Sequence, residues 1–304
     1  MLRSATAAST CTMGNFGPGF DVLSLALDRP GDVVTVAAAA RDEVRVTGSA
    51  EGVPARFEEN CASVAAAHLR DALGLTEPLL VTVEKRVPRG SGLGSSASSS
   101  AAGALAMRAL HPEAVVTNEM LLEAAAAGER VAAGDHRDDV AAALFGGLAL
   151  VSPRPGPVLR LDPPRHLRLA VALPRLVLET RRMRAVLPKD VPRADVVHNL
   201  AMVARLVDAV HRGDVPAMGR AMDDRVAVPY RAPLVPRYAE AREAALAAGA
   251  YGHCLSGSGP AQFAVCDSDA LAERALAAML EVYRKADVAA EGFVAAAAPG
   301  RDVA

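Results

Sequence analysis

Three glycines lie within five residues in the stretch Pro88-Arg89-Gly90-Ser91-Gly92-Leu93-Gly94-Ser95-Ser96. Glycine reaches left-handed backbone angles without steric cost and lets the main chain approach a ligand closely. The alanine-rich residues 97–110 predict a helix, with Ser95 or Ser96 placed to cap it. Unpaired N–H groups at a helix start, with the positive end of the dipole behind them, favour an anion. The stretch therefore indicates an anion site, although a flexible turn before a capped helix has the same composition.

Two common phosphate-binding patterns do not account for this stretch. The chain contains no Gly-Lys-Ser or Gly-Lys-Thr, which excludes the ordinary P-loop. A dinucleotide-binding fingerprint fits poorly because no series of βαβ units follows the stretch.

Composition limits the class of protein. The chain has 304 residues, of which 51% are hydrophobic, and a formal net charge of −2. The charge gives no reason to expect nucleic acid as a partner. No apolar run reaches the roughly 18 residues that span a bilayer, the N-terminus lacks a signal-peptide pattern, and the four cysteines are scattered. We therefore expect a cytoplasmic protein with reduced thiols and no membrane span.

The order of strands and helices favours an α+β fold, because the two types of element do not alternate regularly. Strands are predicted at 2–12, 32–40, 43–47, 79–83, 148–152, 167–173, 254–255, 262–266 and 292–297, and 22–27 is apolar. Helices are predicted at 60–73, 97–110, 118–133, 194–212, 235–248 and 269–283. The proline-rich stretch from Pro153 to Pro164 is the expected boundary between two domains, 1–157 and 158–304.

Ionisable residues cluster at one end of the helix predicted at 118–133. Glu129 shares a face with apolar residues, where a carboxylate is costly unless it has a partner. It is followed by Gly134-Asp135-His136-Arg137-Asp138-Asp139. A glutamate at the edge of the face and a solvated turn would explain the same pattern without any function.

Three segments together resemble the GHMP kinases in order and spacing: Asn15-Phe16-Gly17-Pro18-Gly19-Phe20-Asp21, the glycine stretch, and Ser256-Gly257-Ser258-Gly259-Pro260. Within that superfamily the chain is most similar to the homoserine kinase family. That similarity rests on the first segment, on Glu129 with 134–139, on Thr180-Arg181-Arg182-Met183-Arg184-Ala185-Val186-Leu187-Pro188, and on Pro229-Tyr230-Arg231.

The resemblance implies a two-lobed fold, with an N-terminal lobe like ribosomal protein S5 domain 2 and a ferredoxin-like C-terminal lobe. It implies an ATP- and Mg²⁺-dependent kinase that phosphorylates the side-chain hydroxyl of L-homoserine, a step toward threonine, and a homodimer. The residues that match ATP-binding positions are Asn60, Pro88, Gly90, Ser91, Gly92, Leu93, Gly94, Ser95, Ser96, Ser256 and Gly257. Ser96 and Glu129 match the magnesium positions.

The substrate-binding positions of the family correspond to Asn15, Asp21, His136, Arg184 and Arg231, and we predict Asp139 and Thr180 as the catalytic residues. The chemistry agrees with this assignment. A zwitterionic amino acid needs a carboxylate such as Asp21 for its ammonium group. It needs guanidinium groups such as Arg184 and Arg231 for its carboxylate.

Two positions depart from the family pattern. Asp139 stands where the family has asparagine, and we hypothesise that it accepts the proton of the substrate hydroxyl or orients that hydroxyl. Arg237 stands where glycine is more usual, which would reshape the substrate pocket. The alternatives are a kinase for another small alcohol (threonine, serine or mevalonate) and a catalytically silent protein of the same fold.

Overall fold

The computed structural model describes residues 4–152 and 156–303 of the chain. Within the first of these parts and the residues just after the gap, the chain forms six strands and four helices. The strands are β1 (Ser4–Gly14), β2 (Leu23–Ala38), β3 (Glu43–Gly48), β4 (Leu79–Lys85), β5 (Leu148–Leu150) and β6 (Leu159–Leu161). The helices are α1 (Cys61–Ala72), α2 (Ser95–Leu110), α3 (Asn118–Ala132) and α4 (Asp138–Phe145).

The long strand β2 organises the first sheet. β1 lies antiparallel along one of its edges, while β5 and β4 pair with its first and last residues on the other edge. β3 extends the sheet by parallel pairing with β4, and β6 by antiparallel pairing with β5. Because side chains alternate along a strand, Val34 and Val36 point into a core with the alanine-rich faces of α1, α2 and α3.

The remaining described residues form a four-stranded antiparallel sheet and six helices. The strands are β7 (Arg168–Pro174), β8 (Gly252–Leu255), β9 (Gln262–Cys266) and β10 (Ala290–Ala295), in the order β10-β7-β9-β8. The helices are α5 (Thr180–Ala185), α6 (Arg193–Arg212), α7 (Val215–Arg220), α8 (Val228–Arg231), α9 (Tyr238–Ala247) and α10 (Asp269–Lys285). The strand order and the helices before β8 and after β9 confirm the expected ferredoxin-like lobe.

The second sheet is buried on both faces. Ala170 and Ala172 of β7 pack with α9 and α10. Leu169 and Val171 point the other way, into a core that also contains Phe16 of the first lobe. Phe16 stacks on Phe263 of β9 with ring centroids 5.5 Å apart. The two lobes therefore share an apolar core.

Residues 296–303 return from the second sheet to the first lobe. The Ala298 amide donates to the Ala26 carbonyl at 2.8 Å. The Arg301 side chain donates through Nε to the Leu144 carbonyl at 2.8 Å, and its amide donates to the Phe145 carbonyl at 2.8 Å. These bonds satisfy carbonyls at the C-terminal end of α4, which otherwise lack helical partners.

Several expectations need correction. Most of residues 22–27 and 32–40 belong to one continuous strand, β2 (Leu23–Ala38). Neither Ser95 nor Ser96 caps α2: the capping position is Gly94, and both hydroxyls have other partners. The helix predicted at 235–248 begins at Tyr238, because Arg237 has a φ of 56°.

The remaining differences concern short elements. The sequence did not predict β6, α4, α5, α7 or α8, each of eight residues or fewer. Residues 153–155 of the proline-rich stretch lie outside the described residues, and the division at 157/158 stays a prediction. No helix in the described part of the chain is long and apolar enough to span a bilayer.

Gly103 lies where α1 and α2 pack closely, and a substitution there tests that contact. A Cβ on Gly103 would lie 3.0 Å from the Ala62 Cα and closer to its carbonyl oxygen. Helix propensity alone favours Gly103→Ala by about 1 kcal/mol. We nevertheless expect it to destabilise the protein by about 1–3 kcal/mol, since overpacking must push the helices apart. Urea unfolding measures this, and a midpoint at or above the wild-type value would contradict it.

Candidate active site

A cavity of about 460 Å³ lies where the two lobes meet. Its lining brings together most of the side chains and glycines singled out in the sequence. They are Asn15, Asp21, Asn60, Gly90, Gly92, Gly94, Ser95, Ser96, Glu129, His136, Asp139, Thr180, Arg184, Arg231 and Gly257. Residues far apart in the sequence therefore face one space.

The glycine stretch forms one wall of this cavity and leads directly into α2. Gly90, Gly92 and Gly94 have φ angles of 68°, 81° and 65°, in the left-handed region that favours glycine. A Cβ at Gly92 would lie 2.7 Å from the Ser256 carbonyl oxygen and 2.8 Å from that of Gly259. Only glycine allows the two loops to approach this closely.

Hydrogen bonds join the glycine stretch to neighbouring loops. The Ser256 hydroxyl donates to the Gly92 carbonyl at 2.6 Å, and the Ala261 amide donates to the Ser91 carbonyl at 3.0 Å. The Thr12 amide donates to the Leu93 carbonyl at 3.1 Å. The backbone at the start of α2 is thus held from both lobes.

A buried ion pair lies beneath the loop. Lys85 and Asp32 are in contact, with side chains 3% and 0% exposed. Asp32 accepts from the Arg86 and Val87 amides at 2.8 and 3.1 Å, just before the glycine stretch. Lys85 donates to the Ser95 hydroxyl at 2.8 Å, just after it. The pair therefore holds both ends of the loop, and Lys85 adds a positive charge to the cavity wall.

Lys85 is a residue that the sequence analysis missed. The only available signal was that Lys85, Lys189 and Lys285 are the three lysines of a chain whose other basic residues, histidine aside, are arginine. A lysine ammonium is a compact charge on a flexible stem, which suits a narrow buried site.

Ser96 and Glu129 form an oxygen pair that fits a divalent cation. The Ser96 hydroxyl donates to Glu129 Oε1 at 2.8 Å, while Oε2 is buried without a hydrogen-bond partner among the described residues. Burial raises the pKa of Glu129 to about 8, against the lowering effect of the Ser96 hydrogen bond. A cation would supply the missing partner and favour the charged carboxylate. Mg²⁺ commonly takes one or two carboxylates and completes its shell with water and phosphate oxygens.

Opposite charges meet at the other end of the cavity. Arg184 Nη2 donates to Asp21 Oδ1 at 2.5 Å and lies 3.1 Å from His136 Nδ1. Burial and the charge of Arg184 lower the pKa of His136. The Asp21 amide donates to Asn15 Oδ1 at 3.2 Å, and both residues have positive φ, 57° and 67°. The strained loop therefore places a carboxylate beside a guanidinium.

Arg231 is the more deeply buried of the two arginines at this end. It is 3% exposed and donates to the Met183 and Gly257 carbonyls at 3.1 and 3.0 Å. Burial and the neighbouring Arg184 lower its pKa to about 10. Phe20 lies between the two arginines, with each guanidinium carbon 5.3 Å from its ring centroid. The arginines present more positive charge than Asp21 alone can neutralise.

Asp139 lies in the first turn of α4, with its carboxylate turned to the cavity. Its Oδ1 accepts from the Thr12 and Ser24 hydroxyls at 2.6 and 2.7 Å. Burial raises the pKa of Asp139, and the two hydroxyls oppose that rise. Burial also raises the pKa of the adjacent Asp138, with Asp139 adding to the effect. Thr180 lies elsewhere on the wall, its hydroxyl 3.5 Å from that of Ser258.

Four of the predicted ATP-binding residues do not line the cavity. Pro88 is exposed, Ser91 and Leu93 are buried within the loop, and Ser256 holds the Gly92 carbonyl. Asn60 lines the cavity, but it also caps α1 by accepting from the Ala62 amide at 3.0 Å. Arg237 does not line it: Arg237 occupies a left-handed capping position of α9, where glycine is favoured. Its expected effect on the substrate pocket stays a prediction.

Comparison with known proteins places these features in context. Residues 60–147 match the GHMP kinases N terminal domain, and residues 206–285 match the GHMP kinases C terminal family. The chain is 41% identical over 256 residues to a homoserine kinase of Pyrococcus abyssi, covering 84% of this chain and 85% of that protein. It is 37% identical to a homoserine kinase of Methanocella arvoryzae, covering 96% and 95%. The crystal structure of homoserine kinase from Cytophaga hutchinsonii superposes with a TM-score of 0.91 and 32% identity, covering 98% and 96%.

The raised pKa of Glu129 predicts how the metal-free protein responds to pH. Folding favours the protonated carboxyl, so this contribution to stability is present below the unfolded pKa of 4.5 and is lost as pH rises through about 8. Glu129→Gln has no proton to lose. We expect thermal unfolding without metal to show that the stability of Glu129→Gln rises relative to that of the wild type between about pH 5 and about pH 9. Glu119→Gln, exposed on the same helix, should follow the wild type. Parallel curves for wild type and Glu129→Gln would contradict the prediction.

Proposed function

The chain belongs to the homoserine kinases of the GHMP kinase superfamily, and on that premise we propose that it transfers the γ-phosphoryl group of ATP to the side-chain hydroxyl of L-homoserine. The observation that carries the proposal is the pairing of two sites in one cavity. A glycine loop at a helix start lies at one end, and Asp21 with Arg184 and Arg231 lies at the other. The first suits phosphates, and the second suits a zwitterion. The product, O-phospho-L-homoserine, is an intermediate on the way to threonine.

The phosphate end uses the backbone more than side chains. N–H groups at the start of α2 lack helical acceptors and point toward the cavity with the helix dipole behind them. Lys85, paired with Asp32 below the loop, donates to the Ser95 hydroxyl and so fixes the start of the helix. Ser96 and Glu129 would hold Mg²⁺, which supplies neutralisation of the phosphate charge when bound.

The amino-acid end is arranged for an exchange of partners. Arg184 and Asp21 now neutralise each other at 2.5 Å. A bound amino acid would give its ammonium group to Asp21 and its carboxylate to Arg184 and Arg231. Each charged side chain would then still have a partner of opposite charge, so the ion pair within the protein is replaced by ion pairs with the substrate. Such an exchange favours a zwitterion over an acceptor that carries only a carboxylate, because that acceptor would leave Asp21 without a cation. This argues against a mevalonate-like acceptor.

Asp139 is proposed as the acceptor of the hydroxyl proton. As the oxygen of homoserine bonds to the γ-phosphorus and the bond to the ADP oxygen breaks, the hydroxyl proton passes to Asp139. Oδ1 already accepts two hydrogen bonds, which orient the carboxylate. The alternative is that Asp139 only orients the hydroxyl, because phosphoryl transfer depends mainly on positioning and charge. Thr180, the homodimer and the cytoplasmic location stay predictions.

Acceptor specificity is the direct test of the proposed function. We expect Mg²⁺-dependent release of ADP with L-homoserine, at a kcat/KM at least tenfold above that with L-threonine, L-serine or mevalonate. Asp21 accounts for the preference over mevalonate, since mevalonate has no ammonium group to pair with it. A coupled ADP assay across the four alcohols measures it. ADP release at the background rate with homoserine would refute the proposal. ADP release at the background rate with all four alcohols would favour a catalytically silent protein.

The role of Asp139 is tested by Asp139→Asn, which keeps the shape and the acceptor for Thr12 and Ser24. A lost general base lowers kcat by roughly 10²–10⁴-fold, and we expect a fall in that range with little change in KM. Ser24→Ala removes a hydrogen bond that lowers the pKa of Asp139. We therefore expect the acid limb of its pH–rate profile to move to higher pH. A wild-type kcat in Asp139→Asn would exclude the base role and leave orientation.

A further inference from the structure

Arg231 is carried by an element that cannot hold its own position. α8 consists of four residues, Val228–Arg231, and one helical turn is not stable alone. Arg231 is nevertheless buried at the amino-acid end of the cavity. The Met183 and Gly257 carbonyls hold the guanidinium itself, but contacts outside α8 must fix the turn that carries it.

Asp224 provides those contacts. Its side chain is buried, and Oδ2 accepts from the Ala227 and Val228 amides at 2.9 and 2.6 Å. Oδ1 accepts from the Val226 amide at 2.9 Å. Three successive N–H groups that lead into α8 thus converge on one carboxylate, which determines where the turn begins.

Asn199 on α6 holds Asp224 in turn. Its Nδ2 donates to Asp224 Oδ1 at 2.6 Å, and its Oδ1 accepts from the Arg225 amide at 2.8 Å. The same Nδ2 donates to the Pro18 carbonyl at 3.2 Å. Pro18 lies in the loop that ends at Asp21. One buried amide therefore joins the segment that carries Arg231 to the segment that carries Asp21.

The helix that carries Asn199 and the two segments that it joins are held by packing. Leu206 and Val210 of α6 are buried in the core shared by the two lobes. A Cβ on Gly17 would lie 2.5 Å from Met222 Sδ, so the 221–228 segment and the 15–21 loop also touch directly. Movement of either segment would break hydrogen bonds that have no water to replace them.

We propose that Asn199 and Asp224 are positioning residues that fix Arg231 and Asp21 relative to each other, and so set the affinity for the zwitterionic head of the acceptor. The inference rests on the proposed function. Arg231 and Asp21 bind opposite charges on one carbon of an amino acid, so a small change in their separation weakens both contacts. The glycine loop is held by different bonds and is independent of this pair.

The test is Asn199→Asp, which keeps the shape but loses both donated hydrogen bonds and sets a carboxylate against Asp224. We expect KM for L-homoserine to rise at least tenfold, equivalent to about 1.4 kcal/mol. The Kd of a non-hydrolysable ATP analogue, measured by calorimetry, stays within twofold. Arg225→Gln is the matched control, since it breaks only the exposed pair with Asp195 in the same segment, and it should keep the wild-type KM.

Two further variants separate positioning from general stability. In an Arg231→Ala background, Asn199→Asp should raise KM by a smaller factor than in the wild type, because one of the two groups that the pair positions is already absent. The double variant Asn199→Asp with Asp224→Asn restores one amide–carboxylate bond in reverse and should recover part of the KM. If the Asn199→Asp variant does not fold, Asp224→Asn is measured in its place, and the same rise in KM for L-homoserine is expected.

Failure of the inference can be told from failure of the proposed function. An inactive wild-type protein with homoserine would refute the function. An active wild type whose folded Asn199→Asp and Asp224→Asn variants keep the wild-type KM would overturn the inference alone. A parallel loss of affinity for homoserine and for the ATP analogue would also overturn it, since that is the mark of general destabilisation.

Discussion

The main-chain contact between Gly92 and the Ser256–Gly259 loop is the constraint on which the rest of the molecule depends. Two stretches of backbone from different lobes pass at a distance that leaves no room for a Cβ. Hydrogen bonds from Ser256 and Ala261 hold them there. Because the lobes meet through backbone at this point, the space beside it stays open. The cavity, the exposed start of α2 and the approach of α5 all follow from that contact.

The charges around the cavity are not balanced within the protein. The Lys85 and Asp32 charges neutralise each other under the loop, but Glu129 Oε2 and Arg184 Nε are buried without hydrogen-bond partners. Burial raises the pKa of Glu129, Asp138 and Asp139 and lowers that of Arg231. Each shift measures a preference for the neutral form that a ligand of opposite charge would reverse. These groups are therefore placed at some cost to the stability of the fold, as expected where folding and binding place different demands on one set of residues.

The features that depend on local sequence pattern could be predicted from the sequence. The sequence predicted β9 at its observed bounds and the ends of most long helices to within a few residues. It also predicted that the glycine loop and the other candidate site residues belong to one site. It could not reach pairs made by the fold, such as Lys85 with Asp32, 53 residues apart, or Asn199 with Asp224, 25 apart. The four-residue α8 is too short to show a helical period, and Asp224, which fixes its start, lies outside it. Ser95 matched a helix cap in type, yet its hydroxyl donates to Val87 instead.

The return of residues 296–303 to the first lobe has a consequence for the order of biosynthetic folding. Domains usually fold as units as they leave the ribosome, the N-terminal one first. Here the Leu144 and Phe145 carbonyls in the last turn of α4 accept hydrogen bonds from Arg301, and Ala298 and Val303 pack in the first core. The final packing of the N-terminal lobe therefore includes residues 298–303, which are synthesised after the whole of the second sheet. Until they emerge, the last turn of α4, the helix that carries Asp139, lacks the hydrogen bonds from Arg301.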